Sequence, residues 1–229
     1  MRTFALPAAA AEEDWLRRGA RSLWSRAPWV PAASAPVLAV AAAALWLSGG
    51  RLLVAVPVAG FAGAPALVAL AIVAQRLVLD GDVRVRDLRV PGWAGAVAVV
   101  WTATAAVTLT LAAFEAHGRT GSAAALVPAL AGCVVAAYAV ALAPAAVVLI
   151  LDRPGAPWRN VWVVALLAAA RRPVPVLGGW VAAVLLFSLA LRFQALLLVV
   201  PGVVAVVLVG AAWTALAGLG VTPSQRTDP

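Results

Sequence analysis

Long apolar stretches without charged residues recur along the chain, separated by short charged segments. Six stretches lack Asp, Glu, Lys and Arg, and each can cross a hydrocarbon core of about 30 Å, which takes about 20 helical residues. Backbone groups must be paired in lipid, and no short alternating strands of a membrane barrel are seen, so the stretches predict helices. They cover residues 27–50, 52–75, 90–114, 120–151, 173–191 and 193–225.

The charged segments between these stretches alternate in arginine content. All 17 basic residues are arginines. Because cytoplasmic loops of membrane proteins carry the excess of basic residues, the richer segments and both termini are predicted to be cytoplasmic. An even number of spans, six, preserves this alternation. The richer set holds Arg2, Arg17, Arg18, Arg21, Arg26, Arg76, Arg84, Arg86, Arg89, Arg153, Arg159, Arg171, Arg172 and Arg226, and the poorer set holds Arg51, Arg119 and Arg192.

The predicted fold class is therefore all-α, a polytopic transmembrane helix bundle of about six spans. Residues 1–29 form a cytoplasmic amphipathic segment, 30–221 the six-helix transmembrane domain, and 222–229 a disordered cytoplasmic tail. Within the first segment, one half of the predicted helix surface is apolar and the other half carries Arg17, Arg18 and Arg21. The apolar half holds Trp15, Leu16, Ala20, Leu23, Trp24 and Ala27. This pattern predicts a helix lying in the headgroup layer, with partner docking as the alternative.

A second short apolar stretch, residues 160–170, lies between Arg159 and the pair Arg171–Arg172. It is too short to span a bilayer and is predicted to be a helix packed under the bundle on the cytoplasmic side, broken from the fifth span by Pro173 and Pro175. Eight arginines of the predicted cytoplasmic side are candidate contacts for anionic lipid or a protein partner. They are Arg17, Arg18, Arg21, Arg84, Arg86, Arg159, Arg171 and Arg172.

Composition supports the membrane assignment and weakens other classes. The chain is 65% hydrophobic and 11% charged, whereas soluble domains are about half apolar and a quarter charged. The net charge of +8 does not indicate nucleic acid binding, because the arginines bracket apolar spans instead of covering a soluble face. A single cysteine, Cys133, excludes an internal disulfide. The absence of lysine, with abundant Ala, Val, Arg and Gly, indicates a GC-rich bacterial genome.

Two polar or irregular features within the spans are candidate functional elements. Pro57, Gly60, Gly63 and Pro65 can break the second span and open a cavity, or can form only a bent helix entry or an external hairpin. Thr104 and Thr108 share a face of the third span, and either line a polar path or bond back to their own helix. No ionisable residue lies centrally in a span, which disfavours a proton-coupled carrier.

Glu115, His117 and Arg119 crowd the short loop after the third span. A carboxylate and an imidazole can perform acid–base chemistry or begin a metal site. The chain has only one histidine, so the favoured interpretation is that these polar side chains only contact water at the end of the span. The sequence predicts no enzyme activity, no metal site and no cofactor.

The order of several short motifs resembles that of the YesL-like family, bacterial membrane proteins of unknown function, over roughly residues 12–216. The resemblance implies an uncharacterised plasma-membrane protein whose genes often accompany carbohydrate uptake systems, with no assigned catalytic residues. The similar motifs are Leu45–Trp46–Leu47, Pro57–Val58, Gly63–Ala64–Pro65, Arg76–Leu77–Val78 with Asp80 and Asp82, Arg159–Asn160 and Arg171–Arg172–Pro173.

Three functional hypotheses follow. The first is an accessory component of carbohydrate uptake that binds a membrane or cytoplasmic protein partner through its arginine-rich face. The second is a small self-contained transporter or channel with a path near the Pro57–Pro65 segment and the third-span threonines. The third and weakest is an intramembrane enzyme that uses Glu115 and His117.

Overall fold

The structure, a computed structural model, describes residues 29–80 and 90–223. Within these ranges it contains seven α-helices and one 3₁₀ segment, Gln194–Leu198. Six of the helices are long and apolar enough to cross a membrane, which confirms the predicted all-α polytopic bundle. The helices are α1 (Trp29–Leu47), α2 (Leu52–Leu79), α3 (Trp93–Thr120), α4 (Ala123–Asp152), α5 (Trp158–Arg171), α6 (Pro173–Arg192) and α7 (Val200–Ala217).

Several spans extend beyond their charge-free stretches. α2 continues to Leu79, and the Arg76 guanidinium lies 2.7 Å from the Asp80 carboxylate at the i,i+4 spacing. At the far end of α3, Glu115 and Arg119 form an ion pair with the same spacing. Such pairs stabilise a helix turn outside hydrocarbon, so the helices do not end where the charges begin.

The last span is instead shorter than its apolar stretch. The chain after Phe193 forms the 3₁₀ segment, and α7 begins only at Val200, with a proline in its first turn. Proline lacks the N–H group that the first turn of a helix leaves unpaired, so Pro201 is well placed at this start.

The arginines of the described residues fall at two ends of the bundle. We call the end that carries Arg76, Arg153, Arg159, Arg171 and Arg172 the arginine-rich end. Two features bring its segments together: Arg153 Nη2 donates to the Thr222 carbonyl at 3.4 Å, and Arg172 lies so close to Gly218 that a Cβ there would be 2.9 Å from Arg172 Cγ. Arg51, Arg119 and Arg192 lie at the connections of the opposite end.

The central helix is α7, of whose span 72% is buried, whereas only 17% of the α1 and α6 spans is buried. The largest fully buried side chain is Trp213, in the half of α7 nearer the arginine-rich end. On α4, the residues from Ala145 to Leu151 also lie near the arginine-rich end, and all of them are buried in the main core. A smaller core joins α6 to α7 in the opposite half, where Ala183, Ala190, Val200 and Val204 meet.

Small residues let the helices approach closely. A Cβ on Gly202 would lie 2.4 Å from Val30 Cγ1, at the crossing of α7 and α1, and one on Gly179 would lie 3.0 Å from Ala211 Cβ, between α6 and α7. Because lipid is as apolar as the helix surfaces, membrane bundles depend on this close packing more than on hydrophobic burial.

Candidate functional site

The Pro57–Pro65 segment does not interrupt the second span. α2 runs as one helix from Leu52 to Leu79 with both prolines inside it, so of the three alternatives the helix entry remains and the break and the external hairpin do not. The two glycines of the segment are points of close approach to neighbouring helices. A Cβ on Gly60 would lie 2.3 Å from Thr104 Cγ2, and one on Gly63 would lie 3.5 Å from Val40 Cγ1 on α1.

Pro65 explains how α2 and α3 are joined at this level. A proline has no N–H to donate to the carbonyl four residues earlier, which here is the Phe61 carbonyl. The indole N–H of Trp101 on α3 donates to that oxygen at 3.0 Å. The rings of Phe61 and Trp101 are also paired, 6.4 Å apart. A neighbouring helix thus satisfies the backbone group that the proline leaves free, as lipid requires.

The third-span threonines bond mostly within their own helix. The Thr108 hydroxyl donates to the Thr104 carbonyl at 2.8 Å, and the hydroxyls of Thr102 and Thr110 make equivalent bonds to Ala98 and Ala106. Thr104 itself packs at Gly60 on α2. Thr104 is therefore placed at a helix contact, and the Thr108 hydroxyl hydrogen is already used within α3.

Glu115, His117 and Arg119 lie in the last turns of α3 and not in the predicted loop, and they use their polar groups locally. Glu115 pairs with Arg119, and His117 Nδ1 lies 2.9 Å from the Ser122 carbonyl oxygen. The Ser122 hydroxyl in turn accepts from the Ala124 N–H at 3.2 Å and caps α4. Within residues 29–80 and 90–223, no group of three or more His, Cys, Asp or Glu side chains is arranged to hold a metal ion.

The short apolar stretch at 160–170 forms α5, which extends slightly beyond both ends of the prediction. Val161, Ala165 and Ala168 are buried against the main core, so one face of α5 docks on the bundle as expected. The opposite face is exposed and also apolar, with Val163, Leu166 and Leu167 at 46%, 45% and 46% exposure.

Of the candidate arginine contacts, the described ones flank α5. Arg159 and Arg171 are exposed, and Arg172 is half-buried beside Gly218. Arg17, Arg18, Arg21, Arg84 and Arg86 lie outside the described residues, as does the predicted N-terminal amphipathic helix apart from Trp29.

An apolar groove lies between α3, α4 and α5. It has a volume of about 440 Å³ and follows one face of α4 from Val134 to Leu142, with Thr102 on one side and Trp162 of α5 at one end. The sequence does not predict this groove, because each of its lining residues has the pattern of an ordinary lipid-facing or packing residue. The bond from Trp101 was missed as well, although Pro65 signals that the Phe61 carbonyl needs a donor.

Comparisons of the chain with protein-family models, curated proteins and solved structures find no match.

Proposed function

We propose that this multi-pass membrane protein is an accessory component associated with carbohydrate uptake in a bacterial plasma membrane. It binds a protein partner at its arginine-rich end, which faces the cytoplasm. The link to carbohydrate uptake rests on the resemblance to YesL-like proteins, and the orientation rests on the distribution of arginines.

The observation that carries the docking part of this proposal is the two-sided apolar character of α5. A helix that only rests in the headgroup layer presents a polar face opposite its apolar one. Here the inner face packs on the bundle, and the outer face still exposes Val163, Leu166 and Leu167. Exposed Arg159 and Arg171 lie at its two ends. An apolar centre with a charged rim is the usual anatomy of a protein interface, and the arginines favour a partner with acidic residues around an apolar patch.

Site-specific photocrosslinking in native membranes tests this docking. A photoreactive amino acid at Leu166 is expected to capture a subunit of a solute transporter. The matched control is Leu185 on the lipid-facing side of α6, which is 64% exposed and should capture none. The Leu167→Glu substitution should abolish the product at position 166. Absence of any protein crosslink at Leu166, or the same products at both positions, would contradict the proposal.

The carbohydrate link is tested separately by deleting the gene and measuring uptake of labelled sugars. The deletion should slow uptake of a defined subset, and a Leu166→Glu, Leu167→Glu variant should fail to restore it. Unchanged uptake for all sugars tested would overturn the link but leave the docking result standing. Solute flux into liposomes that contain only the purified protein would instead support the transporter alternative.

A further inference from the structure

The groove between α3, α4 and α5 is built for hydrocarbon. Its α4 side is formed by Val134, Val135, Ala139 and Leu142, together with the ring of Tyr138. The one hydroxyl from α3, that of Thr102, donates to the Ala98 carbonyl at 2.8 Å. All of these residues lie within membrane-spanning helices, so the bilayer supplies the occupant.

The size of the groove fits a single lipid chain. The groove has a volume of about 440 Å³ and is shallow and open on the side away from the bundle, so a chain can enter it sideways from the bilayer. From Val134 to Leu142 the groove extends about 12 Å along α4, at a rise of 1.5 Å per residue. This length is less than one leaflet, which is half of a core of about 30 Å.

The end of the groove nearer the arginine-rich end carries the features of an anion site. Trp162 lines the groove there, and its ring meets that of Trp158 edge-on at 6.0 Å. Arg159 is exposed and lies three residues before Trp162, which makes the two neighbours on the helix surface. In the first turn of α5 the N–H groups of Asn160 and Val161 already donate to the Pro157 carbonyl, so the Arg159 guanidinium is the group that favours an anion there.

We propose that this groove binds one anionic phospholipid. Its acyl chain lies along α4 between Val134 and Leu142, and its phosphate lies against Arg159. The Trp158–Trp162 pair occupies the boundary between chain and headgroup, where indole rings are favoured in membranes. The site does not include the docking-face residues Val163, Leu166 and Leu167, but it shares Arg159 with the rim of that face.

Lipid retention by the purified full chain tests the proposal. The protein is placed in nanodiscs of phosphatidylcholine and phosphatidylglycerol at nine to one, extracted in mild detergent, and its retained lipids are counted by mass spectrometry. The wild type should retain phosphatidylglycerol well above its input share. Arg159→Gln should lower that preference about fivefold, the effect of one arginine near an anionic headgroup. Ala139→Trp, which fills the groove, should lower retention of both lipids.

Each variant has a matched control. Arg171→Gln removes an exposed arginine at the other end of α5, and Leu185→Trp enlarges a lipid-facing residue of α6, so neither should change retention. Val135→Trp is a second groove-filling variant at a position 60% exposed, where a larger side chain does not disturb the core. Monodisperse elution and unchanged helicity establish folding of each variant.

Equal retention of the two lipids by the wild type would overturn the proposal. Unchanged retention in both folded groove-filling variants would do the same. A loss in the groove variants with no change in Arg159→Gln would overturn the assignment of the headgroup.

Discussion

The indole of Trp101 compensates for a proline on the neighbouring helix. Pro65 leaves the Phe61 carbonyl without a helical donor, and Trp101 donates to it at 3.0 Å. Trp101→Phe keeps an aromatic ring but removes the N–H. We expect it to lower the free energy of unfolding in mixed micelles by about 1–2 kcal/mol, because the carbonyl then loses its only side-chain donor in an apolar environment.

A double-mutant cycle separates this hydrogen bond from ring packing. Pro65→Ala restores an N–H that can bond to the Phe61 carbonyl within α2. In that background the cost of Trp101→Phe should fall by about 1 kcal/mol. Trp46→Phe, at a side chain 82% exposed, serves as the control for loss of an indole and should be nearly neutral. Equal costs of Trp101→Phe in both backgrounds would show that the bond does not compensate for the proline.

Among the helices, the contact between α2 and α3 depends on the absence of a side chain at Gly60. A Cβ there would lie 2.3 Å from Thr104 Cγ2 and 2.9 Å from Thr104 Cβ. We expect Gly60→Ala to destabilise the protein by about 1–3 kcal/mol, as overpacking of a close helix contact does. Thermal unfolding in detergent measures the effect.

The control is Gly178→Ala on α6, where a Cβ would have nothing within 4 Å. It should not lower the unfolding temperature. Thr104→Ala should recover part of the loss in Gly60→Ala, because it removes Cγ2 and Oγ1 but leaves Cβ in place. An additive double mutant would contradict the proposed clash.

The positions of the helices were predictable from sequence, but their ends were less so. Charge is expensive in hydrocarbon, so charge-free stretches located all six spans. The helix ends differ from the limits of these stretches at two kinds of place. A helix continues where an i,i+4 pair such as Arg76–Asp80 stabilises its last turn, and it starts later where the segment after Phe193 forms a 3₁₀ turn.

The role of the Pro57–Pro65 segment stayed open at the sequence level for a different reason. Proline lacks a donor, and the sequence shows which carbonyl is left free. It does not show that Trp101, forty residues away, supplies the missing N–H. The groove at Trp162 depends in the same way on α5 docking beside α3 and α4. Both features require tertiary contacts that no local pattern encodes.

Across the whole molecule, the distribution of arginines predicts its orientation. Single-cysteine labelling tests this in a Cys133→Ala background, since Cys133 is an exposed residue within α4 and is otherwise the only cysteine. Thr120→Cys lies at the arginine-poor end of α3, and Gly155→Cys lies in the exposed loop between α4 and α5. A Cβ on Gly155 would have nothing within 4 Å, so the substitution is tolerated.

A membrane-impermeant maleimide should label Thr120→Cys in intact cells and Gly155→Cys only after the membrane is permeabilised. The positive-inside rule places the loop with Arg153 and Arg159 in the cytoplasm, because translocating those charges is unfavourable. The reverse labelling pattern would invert the orientation and move the α5 docking face to the outside. In that case a cytoplasmic partner could not reach Leu166, and the accessory role as proposed would be wrong.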